Sequence, residues 1–262
     1  MEGVTVLIVD AGPAGLATVA CLSQFSIPYA IVEHENCSAS LWRNRAYDRL
    51  KLHLAKEFCE LPHMSYPVDA QTYMPKTLFV KYLDDYVESF NIQPKYLTSV
   101  ESSTYDNDEK CWSIVAKDMS KCTTVKFTAK FLVVASGENT ENIPMFLGLE
   151  NFLGDVIHSS SYKSGKSYSG KNVLVIGSGN SRMEIAYDLA THGANTSIVI
   201  RSPNGDSMLN GNGLPIQKYP NHWKGGNGLY CAGLARRGLA GIATDAKNIA
   251  NDIKSMMDSM SS

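Results

Sequence analysis

Residues 4–20, VTVLIVDAGPAGLATVA, decide the fold. Residues 4–9 are a continuous apolar and largely β-branched run, the signature of a parallel strand buried on both faces rather than one exposed on alternate residues. Gly12-Pro13-Ala14-Gly15 is a turn, and the apolar run that follows over residues 16–25 opens a helix. Pro28 then breaks the chain ahead of a second strand, residues 29–32, which ends in Glu33. The crossover is long enough for the two strands to lie parallel, so the unit is strand–helix–strand. Glycines in such a turn let the backbone approach a pyrophosphate, to which the following helix presents its free N–H groups.

Glu33 stands eighteen residues after Gly15, at the strand end where a carboxylate can accept hydrogen bonds from a ribose 2′-OH. The site is shaped for FAD, with Asp10, Ala11, Gly12, Pro13, Ala14, Gly15 and Glu33 as its candidate binding residues. Asp10 breaks the pattern G-x-G-x-x-G, which calls for glycine there. An L-residue forced into a left-handed turn costs ~1–2 kcal/mol, Asp less than most. A carboxylate ~5 Å from a phosphate charge adds roughly 3 kcal/mol of repulsion at an effective dielectric near 20. Binding is expected to be weakened rather than lost.

The pattern recurs. Residues 172–176 read as a strand, Gly177-Ser178-Gly179-Asn180-Ser181 as a turn, 183–191 as a helix and 196–200 as a strand. This second strand ends in Arg201-Ser202, with no acid. An arginine there pairs with a 2′-phosphate, which selects NADPH over NADH. Gly177, Ser178, Gly179, Asn180, Ser181, Arg201 and Ser202 are therefore the candidate NADPH residues. Arg182 occupies the third glycine position, where a long side chain overpacks by ~1–3 kcal/mol unless it escapes outward or reaches the pyrophosphate.

Between the two units, residues 77–90 read as a helix. Residues 112–116 and 125–127 read as paired strands, and 131–135 as a further buried strand closing on Ser136-Gly137-Glu138-Asn139. The Gly/Ser/Lys-rich stretch 164–170 marks a boundary. A last strand at 229–232 and a helix from about residue 243 complete the chain. The expected class is α/β: a Rossmann-like FAD-binding domain over 1–164, an incomplete Rossmann-like NADPH-binding unit over 165–209, and a segment over 210–262 that returns to the FAD domain.

Bulk properties exclude several alternatives. With 44% hydrophobic residues in 262 the chain can bury a core, and 24 basic against 26 acidic residues leave no basic run to track nucleic acid. The N-terminal apolar run is too short for a signal core or a membrane span. Six irregularly spaced cysteines without a Cys-x-x-Cys pair point to a reducing, cytoplasmic setting and away from a zinc site or a disulfide reductase.

Phe152-x-Gly154-x-x-x-His158-x-x-x-Tyr162 matches the F-x-G-x-x-x-H-x-x-x-Y/F signature of flavin-containing monooxygenases. Residues 45–62 (RAYDRLKLHLAKEFCELP), 136–139 and 221–241 (NHWKGGNGLYCAGLARRGLAG) resemble the plant YUCCA branch of that family, the indole-3-pyruvate monooxygenases of auxin synthesis. The resemblance covers 1–203 and 210–258. It implies that NADPH reduces FAD, that O2 reacts at the reduced flavin, and that indole-3-pyruvate loses CO2 to give indole-3-acetate. It also implies that Trp42, Gly137 and Asn139 belong to the cofactor site. His53 falls where the wider family has an asparagine near the flavin, so it is either a hydrogen-bond donor there, the one catalytic candidate, or an interior histidine. His158, Phe152 and Tyr162 are read as a brace between the two cofactor sites. Family members have a longer NADPH domain, whereas this sequence passes from Arg201-Ser202-Pro203 almost directly to the tail. Such a domain needs ~100–150 residues. The alternative function is a degenerate, inactive relative that binds FAD weakly or serves only as an interaction partner.

Overall fold

The computed structural model describes residues 1–137, 148–177, 180–199, 223–224, 228–232 and 238–260. Strand β1 (Glu2–Val9), helix α1 (Pro13–Ser23) and strand β2 (Tyr29–Val32) form the expected parallel crossover, with Val6 to Val9 in register with Tyr29 to Val32. The helix starts at Pro13, inside the expected turn. Proline there loses nothing, because the first N–H of a helix has no partner within it.

Helix α2 (Lys76–Ser89) is followed by three antiparallel strands, β3 (Thr98–Asp106), β4 (Cys111–Asp118) and β5 (Thr123–Val134). The two strands expected at 125–127 and 131–135 are one strand. Lys126 and Lys130 interrupt the apolar pattern, but the strand runs through both. β5 is long because it serves two neighbours on one side. Its first half pairs antiparallel with β4 and its second half parallel with β8 (Leu229–Cys231), while β1 lies along its other edge. The sheet order is β2-β1-β5-β4-β3, with β8 on β5.

β6 (Asn172–Ile176), α3 (Asn180–Thr191) and β7 (Asn195–Val199) form the second crossover, a separate two-stranded parallel sheet. The C-terminal helix α4 (Gly238–Met260) starts five residues before the expected position. It packs along α1 on one face of the main sheet, with Ala246, Ile249, Ala250 and Ile253 fully buried there. Helix α1 is buried from Ala14 to Leu22, so it shows no polar stripe. Its small residues Ala14, Gly15, Ala17 and Ala20 admit the sheet on one side and α4 on the other. The opposite face of the sheet holds a smaller core of Leu7, Ile114, Phe127 and Leu132. No described helix is long and apolar enough to cross a membrane. Cys21, Cys37, Cys59, Cys111 and Cys122 are free thiols.

Candidate cofactor-binding sites

The carboxyl ends of β1, β2, β5 and β8 meet at one edge of the sheet, where an open α/β sheet holds its ligand. The first turn lies there. Gly12 is the extended N-cap of α1 and no side chain caps the helix, so its first N–H groups face the turn. A Cβ at Gly15 would run into the carbonyl oxygen of Asp10, which fixes glycine at that position and draws the helix close against the strand. The arrangement fits a dinucleotide pyrophosphate.

Asp10 has φ +86°, the left-handed conformation the turn demands. Its carboxyl Oδ2 stands 3.9 Å from where a Cβ on Gly12 would lie. Burial, then the hydrogen bond and charge of Glu33, push the Asp10 acid up to about 8. Burial and the neighbouring charge of Glu33 both disfavour the ionised form of this carboxyl. Glu33 is 2% exposed. Its Oε2 accepts from Ala11 N at 2.8 Å and its Oε1 from Glu35 N at 2.8 Å. A carboxylate has about four lone-pair positions, so room for a ribose hydroxyl remains.

Gly137, at φ +66°, lies three residues past the end of β5, after the bond from Ala135 N to Val9 O at 3.0 Å. Asn139 lies outside the described residues. Trp42 sits half-buried with its ring edge-on to Phe79 at 4.6 Å, in a segment joined to the turn by the bond from Ala39 N to Ala11 O at 3.0 Å.

In the second turn Gly177 has φ +116°, the counterpart of Asp10. Arg182, the counterpart of Gly15, is solvent-exposed and folds back across Gly177, its Nε 2.5 Å and Cζ 2.7 Å from where a Cβ would stand. The side chain has moved outward, but over the mouth of the turn. Ser181 follows Asn180 in the first turn of α3. Ser178, Gly179, Arg201 and Ser202 lie outside the described residues.

The two units are joined through α3. His53 is a third exposed, its Nδ1 3.4 Å from Glu184 Oε1, and Tyr47 donates to Glu184 Oε2 at 2.9 Å. Buried Asp188 accepts from Tyr162 Oη at 2.6 Å and from Gly165 N at 2.7 Å, and pairs with Arg49 at 3.5 Å. Against the effect of burial, the bonds from Tyr162 and Gly165 and the charges of His192 and Arg49 hold Asp188 below the ordinary carboxylate range. Neither Glu184 nor Asp188 is identified by the turn motifs. Their i, i+4 spacing on an otherwise apolar helix face is the signal that could have found them.

Of the expected brace, Tyr162 packs with Tyr47, Ile185 and Leu189. His158 caps a short turn through Ser160 N at 3.3 Å. Phe152 is a correction. It is 60% exposed, its ring folded onto Gly154 rather than into a core.

The pattern of the pyridine nucleotide-disulphide oxidoreductase family matches residues 7–210. The probable indole-3-pyruvate monooxygenase YUCCA10 of Arabidopsis thaliana is 36% identical over 373 residues, covering 96% of this chain and 97% of that protein. Since 96% of 262 residues is about 250, roughly 120 of those positions have no counterpart here. The probable indole-3-pyruvate monooxygenase YUCCA8 of the same plant is 47% identical over 199 residues, 75% of this chain and 47% of its own length, so the chain matches about half of that relative. Among solved structures, a flavin-containing monooxygenase from Stenotrophomonas maltophilia superposes with TM-score 0.81 at 17% identity, covering 98% of this chain and 100% of that one. A bacillithiol disulfide reductase from Bacillus cereus gives 0.66 at 23%, covering 77% and 61%. At those identities the likeness speaks for the fold.

Proposed function

The chain belongs to the YUCCA branch of the flavin-containing monooxygenases, within the pyridine nucleotide-disulphide oxidoreductase family, and from that premise we propose that it converts indole-3-pyruvate to indole-3-acetate with FAD, NADPH and O2. The substrate loses its carboxyl carbon as CO2. One atom of O2 enters the product and the other leaves as water, with two electrons from NADPH. The bound flavin supplies the electron transfer and oxygen chemistry; the protein binds, orients and excludes water.

The observation that carries the reading is the first turn. It stands at the converging strand ends, with Gly15 forced by the Asp10 carbonyl and Glu33 buried beside it. In this reading residues 1–164 hold FAD through Asp10, Ala11, Gly12, Pro13, Ala14, Gly15 and Glu33, with Trp42, Gly137 and Asn139 completing the site. Residues 165–209 hold NADPH through Gly177, Ser178, Gly179, Asn180, Ser181, Arg201 and Ser202, and residues 210–262 return to the FAD side. His53, oriented by Glu184 at the junction, serves as a hydrogen-bond donor toward the flavin. The free thiols support a cytoplasmic setting.

Purified protein supplied with FAD, NADPH and indole-3-pyruvate in air is expected to form one indole-3-acetate per NADPH consumed. An FAD-loaded protein that oxidises no NADPH and makes no acid overturns the proposal.

A further inference from the structure

We propose that Tyr96 is the base-binding wall of the first cofactor site: its ring stacks on the purine of the dinucleotide, and its hydroxyl, tied to Ser38, holds the ring in place. The inference rests on the FAD reading of the first turn and deepens it, since no turn motif points to Tyr96.

Glu33 marks where the ribose lies, so the base carried by that ribose lies beside Glu33 as well. On the edge of β2 opposite β1, Glu33 is bordered by the segment 95–98. Lys95 N donates to Ile31 O at 2.9 Å, Glu33 N to Lys95 O at 3.0 Å and Thr98 N to Glu33 O at 2.8 Å. Tyr96 is thus bracketed by two residues bonded to the Glu33 backbone. Its hydroxyl meets Ser38 Oγ at 2.9 Å. The next residue, Ala39, donates its N–H to Ala11 O at 3.0 Å in the first turn. Chain far apart in sequence is drawn together here, and it runs from the pyrophosphate turn past Glu33 to Tyr96.

Ser38 is 5% exposed and Tyr96 38%. With its hydroxyl engaged at a buried serine, what Tyr96 offers to a ligand is its ring. The backbone at this position is pinned too, since Thr98 Oγ1 donates to Tyr96 O at 3.2 Å. A ring held at both ends loses little freedom when a ligand arrives. In the FAD reading the Glu33 carboxylate takes the ribose and the N–H groups at the start of α1 take the pyrophosphate. That leaves the flat, weakly polar base for the ring, and base–aromatic stacking is the interaction such a ring makes.

The test is FAD titration of the flavin-free protein by fluorescence quenching, for wild type, Y96F, S38A, Y96L and Y96A, with a melting curve for each. Y96F keeps the ring, and Y96L keeps bulk without the π face. Y96F and S38A are expected to stay within about threefold of wild type and Y96L and Y96A to bind about tenfold more weakly. Wild-type affinity in Y96L and Y96A overturns the proposal and leaves the FAD reading intact. An equal loss in Y96F and S38A does the same, because it assigns the position to the hydrogen bond and not to the ring. A wild-type chain that takes up no FAD overturns the FAD reading, and the proposal with it. A second measurement needs no variant. An FAD analogue with a photoreactive azide on its purine is expected to label the peptide that holds Tyr96. Labelling that FAD suppresses but that falls only on other peptides refutes the stacking, however the variants fold.

Discussion

At position 10 the backbone stands at φ +86° and carries a carboxyl where the turn pattern calls for glycine. Its folded-state acidity, about 8, lies above the ordinary carboxylate value of 3.8. Between those values the folded chain binds a proton that the unfolded chain does not. The stability contributed by protonated Asp10 is complete below pH 4 and is lost as the pH rises to 8. D10N keeps that contribution at every pH. Its advantage over wild type is expected to grow from pH 4 to 8 and then stay level, at on the order of 2–4 kcal/mol after discounting for partial exposure. Melting curves at pH 5, 7 and 9 measure it. Arg182 poses the reverse problem: it is the third-glycine position of the second turn that is filled, and the guanidinium covers Gly177. Uncovering the turn in R182G is expected to tighten NADP+ binding by about tenfold, measured by calorimetry. Weaker binding in R182G assigns the guanidinium to the pyrophosphate instead. Both departures are legible as letters in the sequence. The upward shift of that carboxyl is not, because it depends on burial and on Glu33, itself 2% exposed.

The elements most legible in the sequence are those whose pattern is purely apolar. Strands Tyr29–Val32 and Asn172–Ile176 fall where their residues place them, since a buried parallel strand needs only a short β-branched run between breakers. β3, by contrast, is Thr-Ser-Val-Glu-Ser-Ser-Thr-Tyr-Asp, a polar strand held by its pairing with β4 and invisible to any hydrophobic period. The long β5 reads as two strands because Lys126 and Lys130 sit on it, and only its change of partner from β4 to β8 explains its length. Helix α1 approaches the strand most closely at Gly15, where a Cβ would stand 2.0 Å from the Asp10 carbonyl oxygen. G15A is expected to lower stability by several kcal/mol and to abolish flavin retention, because the new methyl meets backbone that cannot step aside. Helix α3 depends on Asp188. D188N keeps the volume but cannot accept from both Tyr162 and Gly165 while pairing with Arg49, so a loss of about 1–3 kcal/mol is expected. Because Asp188 is held below the ordinary carboxylate range, its contribution is present above pH 4 and fades as the pH falls through its lowered value. Hydrogen exchange over residues 180–199, faster in D188N than in wild type at pH 7 and converging with it in acid, tests both points.

For the molecule as a whole, the consequence of roughly 120 unmatched positions shows at the second sheet. A parallel sheet normally has both faces covered by helices. Here α3 covers one: Val173 and Val175 pack toward Ile185 and Leu189. On the other face Leu174 is 57% and Ile176 44% exposed, and Val199, in register with Ile176, is about half exposed. Among the described residues β6 is bonded only to β7 in its sheet, and none of them pairs with its second edge. Three apolar side chains beside an open strand edge with no charge on it are the combination that natural sheets avoid by placing lysine or proline there. The chain is therefore expected to bind a hydrophobic dye in its native state and to scatter light as its concentration is raised. L174K and I176K together are expected to suppress both effects. Because the two side chains stand in solvent, the substitutions are expected to cost less than about 1 kcal/mol, with the melting curve nearly unmoved. If the double variant instead unfolds residues 165–199 while dye binding persists, the face is buried in solution and the crossover is closed by other parts of the chain.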